Sequence, residues 1–254
     1  MRSIALLVLF SAACATPASP RVAATPPAPR ETPPPAAVDA ARHAVAAIYI
    51  DATCATLEKA SGHANGYFVA DDVLVTVYHA KEASKDLFPA FAAVDEKGCY
   101  DARHADQFPE FDALFLRVSG REGGASIRFS RSVPPTGAKV WAVSSENTGK
   151  PTAASSARIR KGLHMETRTL SVNPLPAKAK DYARSPVWDA SPALRKGDSG
   201  SPVLDENGEV VGMLLALISN RQDGRMESTV FLSGWVVEKL LAHCAPCEMD
   251  GTSD

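Results

Sequence analysis

Several absences narrow the reading of this sequence. No block of Lys or Arg stands out, and totals of 27 basic and 29 acidic residues leave a formal charge of −2. The basic stripe that would neutralise phosphates is therefore missing, which argues against a nucleic-acid partner. The apolar run Ile4–Phe10 is too short to serve as a membrane span. No metal-ligand spacing connects His43, His63, His104, His164 and His243, which read as surface or structural residues, so neither metal nor cofactor is expected. No internal repeat is visible. What remains is enough chain for one large β domain.

Proline is plentiful at the N-terminus. Arg2, the run Ile4–Phe10 and the residues Ser11-Ala12-Ala13-Cys14 read as a secretory signal over residues 1–14. Small residues before a cysteine resemble the lipobox of bacterial lipoproteins, which implies lipidation of Cys14 and attachment to a membrane. Ordinary cleavage near Ala13 or Ala15 is the alternative. Residues 15–38, with Pro26-Pro27, Pro29 and Pro33-Pro34-Pro35, predict an extended, disordered tether of polyproline character. A domain over 39–247 and a disordered tail over 248–254 complete the expected organisation. The expected location is the cell envelope, lipid-anchored, or otherwise periplasmic or secreted.

With Cys14 set aside, Cys54, Cys99, Cys244 and Cys247 remain, an even number that predicts disulfides in an exported protein. Three pairings are open. Cys54 with Cys99, both in the first half of the domain, and Cys244 with Cys247 form the preferred one. Cys244-Ala-Pro-Cys247 follows a predicted terminal helix instead of opening one, so the position that stabilises a redox thiolate is lacking.

From about residue 40, short apolar or alternating runs separated by Gly, Pro, Asn and Asp predict an all-β barrel or sandwich. The expected strands are 44–50, 66–70, 73–77, 89–94, 99–105 and 113–118, then 138–144, 156–164, 166–172, 201–204, 209–217 and 226–232. Between the two series, 119–136 is rich in Gly, Ser and Pro and suits a connection between lobes. Trp235, Val236, Leu240 and Leu241 at helical spacing after Ser233, a plausible N-cap, predict a short C-terminal helix. Trp141, Trp188 and Trp235 are expected to serve packing.

Chemistry enters with Gly197-Asp198-Ser199-Gly200-Ser201-Pro202. A serine hydroxyl is a poor nucleophile until a base takes its proton, and that base needs a buried carboxylate to fix its tautomer. The glycines permit a tight turn that aims the amides of Gly197 and Ser199 at one point, as an oxyanion hole requires; one such donor lowers a barrier by about 3–4 kcal/mol. Upstream, the apolar strand Val73–Val77 delivers His79 towards the interior. Asp112 stands immediately before another apolar strand. By itself it would be a turn residue or strand cap.

The order His79, Asp112, Ser199 is that of the chymotrypsin-like fold. Val73–Ala80 resembles the strand and His-Ala turn of trypsin-like peptidases. Tyr100-Asp101-Ala102, Pro109 and Asp112-Ala113-Leu114 resemble HtrA-type proteases. Gly197–Val203 with Gly208-Glu209-Val210-Val211-Gly212 resembles the nucleophile loop and hairpin common to the family. The resemblance implies an all-β fold of two six-stranded antiparallel barrels with the active site between them. It further implies a serine endopeptidase acting on protein or peptide substrates, with His79 as base and then acid, Asp112 orienting it, and Ser199 as nucleophile.

Departures accompany the likeness. Ser201 stands where trypsins usually have Gly, although glutamyl endopeptidases share Gly-Ser-Pro. No Ile-Val-Gly-Gly activation junction is present, so Asp198 must find a partner other than a freed N-terminus. By family position, Ala193, Leu215, Ala216 and Leu217 line the substrate pocket. Ala193 at the place of trypsin's acidic pocket base disfavours cleavage after Arg or Lys, and the absence of His from 214–217 argues against Glu specificity. A small or aliphatic side chain is the remaining expectation. An esterase of the Gly-x-Ser-x-Gly type has the wrong residue order. The competing reading is a catalytically silent trypsin-like fold used as a tethered binding module.

Overall fold

β-branched, aromatic and aliphatic residues pack well on pleated, buried surfaces, and Val45–Ile50, Val73–Val77 and Ala113–Val118 in the first half of the domain are rich in them. The computed structural model describes residues 34–132, 134–145, 149–164, 186–191, 198–219, 226–244 and 247. Strands β1 (Val45–Ile50), β2 (Gly62–Phe68), β3 (Val73–Val77), β4 (Phe91–Val94), β5 (Cys99–Phe108) and β6 (Ala113–Val118) close into a barrel in the order β1-β2-β3-β6-β5-β4. Strands β7 (Lys139–Ala142), β8 (Ser155–His164), β9 (Pro186–Ser191), β10 (Pro202–Leu204), β11 (Val210–Ser219) and β12 (Met226–Ser233) close a second in the order β10-β11-β12-β9-β8-β7. Every pairing within both barrels is antiparallel. The expected chymotrypsin-like class is thus the observed one.

One core, including Ile48, Leu74, Phe115, Trp141, Met213 and Leu232, joins the first barrel to residues of the second. A smaller one, with Val140, Ile159, Val203, Leu214 and Phe231, belongs to the second barrel, and Trp188 packs against it. The connection between barrels is pinned by buried Arg121. Its guanidinium donates to Asp95 Oδ2 at 3.0 Å and to Ala125 O at 2.8 Å, and lies over the Phe68 ring at 3.6 Å.

Two expectations need correction. The tether was expected through residue 38, but Ala36–Ala41 forms helix α1 with Val38 fully buried. After Pro35, which sits at the N-cap, Ala-Ala-Val-Asp-Ala-Ala has high helix propensity, and Val38 supplies the apolar contact that anchors it. The Ala37 carbonyl lies so close to Gly208 (φ +74°) that a Cβ there would approach it to 2.5 Å. The sixth strand of the second barrel is β9, a run absent from the sequence reading because it opens on Pro186 and carries Asp189; the expected strand 166–172 lies outside the described residues.

The C-terminal helix α2 (Gly234–His243) follows Ser233 as expected, and buries Val236, Val237 and Leu240. Both preferred disulfides are formed, Cys54–Cys99 and Cys244–Cys247. They span sequence separations of 45 and 3 residues, so on chain-entropy grounds the first restricts the unfolded chain by about 2 kcal/mol more than the second.

Candidate active site

His79 and Asp112 emerge from the same end of one strand pair. β3 and β6 run antiparallel with Val77 opposite Ala113, so the residues just beyond that end meet. Tyr78 N–H donates to Asp112 O at 3.0 Å, closing the junction. Asp112 itself follows a single 3-10 turn, Pro109–Phe111, and adopts the left-handed conformation (φ +54°) before entering β6. A non-glycine residue in that region is uncommon, and Asp tolerates it better than most.

That conformation turns both carboxylate oxygens to the histidine. His79 N–H donates to Oδ1 at 2.7 Å, and the ring Nδ1–H donates to Oδ2 at 2.6 Å. Asp112 therefore fixes the tautomer with its proton on Nδ1, leaving the Nε2 lone pair free to accept one. The Asp112 side chain is 13% exposed and that of His79 is 42% exposed, so the carboxylate is sheltered while the ring remains open to solvent. The hydrogen bond to Asp112 raises the His79 pKa above 6.5 against the opposing effect of burial, with the charges of Asp112 and Glu82 adding to the rise.

Ser199 reaches this neighbourhood through backbone bonds. Gly200 N–H donates to Leu214 O at 2.8 Å and Ser201 N–H to Asp198 O at 2.9 Å, which shape the turn. Ser199 O then accepts from Asn65 N–H of β2 at 2.9 Å, docking the turn on the first barrel. The approach demands glycine: Gly200 has φ +86°, and a Cβ there would lie 2.0 Å from Asn65 O and 2.9 Å from Thr76 Oγ1. Thr76 is in β3, shortly before His79. The Ser199 hydroxyl donates to Leu215 O at 3.3 Å in this structure.

Other expected residues divide. Leu215 is buried in the joint core, and its carbonyl accepts from the Ser199 hydroxyl; β11 has a register irregularity between Leu214 and Ala216, and Ala216 is exposed. Gly197, Ala193 and Cys14 lie outside the described residues, as does the side chain of Leu217. Asp198 is buried and partnered. Sequence reasoning missed Asn65 and Thr76; the available signal was a polar Asn directly before the expected strand at Gly66. A cavity of about 750 Å³ lined by Val69, Ile127, Phe129, Leu241, Cys244 and Cys247 includes none of the three candidate catalytic residues, so volume alone would have pointed away from this chemistry.

Residues 64–213, which contain His79, Asp112 and Ser199, match the model of the trypsin-like peptidase domain. The chain belongs to the trypsin-like peptidase family. It is a serine protease by family, and solved proteases share its fold. The active form of the Rv3671c protease from M. tuberculosis aligns with a TM-score of 0.63 at 22% identity, over 98% of this chain and 98% of that one. An HtrA-type protease, AlgW, with a tripeptide aligns with a TM-score of 0.63 at 16% identity, over 84% of this chain and 62% of that one. The serine endoprotease from Yersinia pestis gives 0.59 at 15% identity, over 82% of this chain and 65% of that one. No curated protein sequence matches this peptidase.

Proposed function

We propose that this peptidase is an endopeptidase that cleaves peptide bonds through a His79–Asp112–Ser199 triad and an acyl-enzyme intermediate. The observation that carries the reading is the two-point grip of Asp112 on His79, at 2.7 and 2.6 Å, beside a Ser199 turn docked on the same barrel.

The cycle begins when the Ser199 side chain rotates between staggered rotamers, from Leu215 O towards His79. Oγ attacks the scissile carbonyl carbon as its proton passes to His79 Nε2. Asp112 offsets the positive charge that develops on the ring. The amides of Gly197 and Ser199 receive the oxyanion. Collapse of the tetrahedral adduct breaks the C–N bond, and the leaving amine takes the proton from His79. His79 then takes a proton from water as the hydroxide adds to the acyl carbon, and collapse of this second adduct breaks the C–Oγ bond while the ring gives its proton back to Ser199 Oγ. Pre-steady-state hydrolysis of an activated ester tests the scheme: a burst of about one equivalent per chain is expected, and release with no burst from a folded, active preparation contradicts accumulation of the acyl-enzyme.

The pH dependence follows from His79. Catalysis needs a neutral ring, and Asp112 holds the proton on it more tightly, so activity is lost as pH falls through a value above 6.5. The contribution of the pair to stability runs the other way: it is fully present below 6.5 and fades as pH rises through the folded-state pKa. A kcat/KM profile whose acid limb has its midpoint at or below 6.5 would contradict the assigned base.

Peptide or protein substrates fit the exposed ring of His79. A small or aliphatic side chain before the scissile bond remains the proposed preference. We also propose that residues 1–14 direct export, that Cys14 carries a lipid, and that the proline-rich segment spaces residues 34–247 from an envelope membrane. The described residues contain no helix long and apolar enough to cross a membrane. Cys14→Ser is expected to move the protein from the detergent phase to the aqueous phase in detergent partitioning; unchanged partitioning of both forms into water contradicts the anchor.

A further inference from the structure

Asn65 is 3% exposed, a polar residue in the buried half of β2. The β2–β3 ladder covers Gly66 to Phe68, so Asn65 lies just beyond it and its backbone groups serve other partners. Its N–H donates to Ser199 O at 2.9 Å, and its C=O accepts from Thr76 Oγ1 at 2.6 Å. Its side chain crosses to the second barrel, where Oδ1 accepts from Ser145 N–H at 2.7 Å.

Ser145 lies beyond the end of β7, next to Ser144. Ser201 Oγ donates to Ser144 Oγ at 3.3 Å, with Ser201 fully buried. A closed ring therefore runs from Asn65 to Ser199, along the chain through Gly200 to Ser201, across to Ser144, on to Ser145 and back to Asn65. The ring accounts for Ser201, whose hydroxyl the usual glycine would lack. It also encloses the turn that a single Cβ on Gly200 would push off Asn65 O.

We propose that Asn65 is a positioning residue for the nucleophile. Its side chain sets the separation between β2 of the first barrel and the β7 exit of the second, while its N–H holds the carbonyl of Ser199. The two together fix where Ser199 Oγ stands relative to the His79 ring. An apolar residue at this position could not accept from Ser145, and Ser is too short to reach it. Asp has the same reach and keeps an acceptor oxygen. The inference rests on Ser199 being the nucleophile, and small displacements of reacting groups cost rate steeply.

The test is the rate of fluorophosphonate labelling of the full chain as a function of probe concentration, below the melting temperature of every variant. Asn65→Ala and Asn65→Ser are expected to lower the limiting rate by about tenfold, the cost of one buried hydrogen bond, with the half-saturating concentration unchanged. Asn65→Asp is expected to stay within about threefold of the parent, recovering what Ala loses because the acceptor is kept. A merely structural role would lower the melting temperature and leave the limiting rate of the folded fraction unchanged, and that result overturns the proposal. Asp labelling as slowly as Ala also overturns it. Should Asn65→Ala fail to fold, Asn65→Ser and Asn65→Asp carry the same comparison. A folded parent that does not label at all contradicts the nucleophile itself, and the role of Asn65 falls with it.

Discussion

Ser199→Ala lowers kcat for peptide hydrolysis by about four to six orders of magnitude, as removal of a triad nucleophile does, and leaves the thermal midpoint close to that of the parent. The separation of the two effects follows from how the turn is held. Its fixed points are main-chain bonds: Gly200 N–H to Leu214 O, Ser201 N–H to Asp198 O, and Asn65 N–H to Ser199 O, at 2.8, 2.9 and 2.9 Å. Alanine preserves all three. The bond it removes is the hydroxyl's contact with Leu215 O at 3.3 Å, beyond the usual range for a hydroxyl donor and therefore weak. Initial rates on an unfolded protein substrate and calorimetry check both halves. Retained hydrolysis, or loss of activity that tracks loss of folding, contradicts the assignment.

Asp112→Asn is expected to lower kcat by about four orders of magnitude at neutral pH with KM little changed. The geometry dictates how asparagine must sit. His79 N–H is a donor only, so the oxygen of the new amide stays against it, where Oδ1 accepts now at 2.7 Å. Its NH₂ group then faces Nδ1, which in the native pair donates to Oδ2 at 2.6 Å. Two donors cannot share that contact, so the ring adopts the tautomer with its proton on Nε2, the atom that must receive the proton of Ser199. The same substitution removes the hydrogen bond and charge that raise the His79 pKa, so the acid limb of any residual activity moves to lower pH. Steady-state kinetics across pH check this. A variant with parental kcat, or an unmoved acid limb, contradicts the role of Asp112.

The fold was legible because strands such as Val73–Val77 and Ala113–Val118 are predominantly apolar runs. His79 and Asp112 were legible because one lies two residues after such a run and the other immediately before one. The pairing that brings them together is a register, and the sequence supplied it only through family resemblance. β9 escaped because Pro186 and Asp189 disguise a strand whose other residues suit a sheet. Helix α1 escaped because its alanines continue the composition of the preceding proline-rich segment; the deciding feature is the burial of Val38, a tertiary contact. The contact of the Leu215 carbonyl with the Ser199 hydroxyl was not legible, since it involves a main-chain group that every residue carries. Asn65 showed only as a polar residue directly before Gly66, because its importance lies in partners such as Ser145 and Ser199 from distant parts of the chain.

The central claim is that Ser199 is a nucleophile activated by His79, and covalent capture tests it most directly. The purified protein would be treated with a fluorophosphonate, digested and mapped by tandem mass spectrometry, with His79→Ala treated in parallel. One adduct per chain, on Ser199, strongly reduced in the His79 variant, is the predicted result. A folded parent that acquires no adduct, or acquires one on another residue, contradicts the account and leaves a trypsin-like fold acting as a binding module.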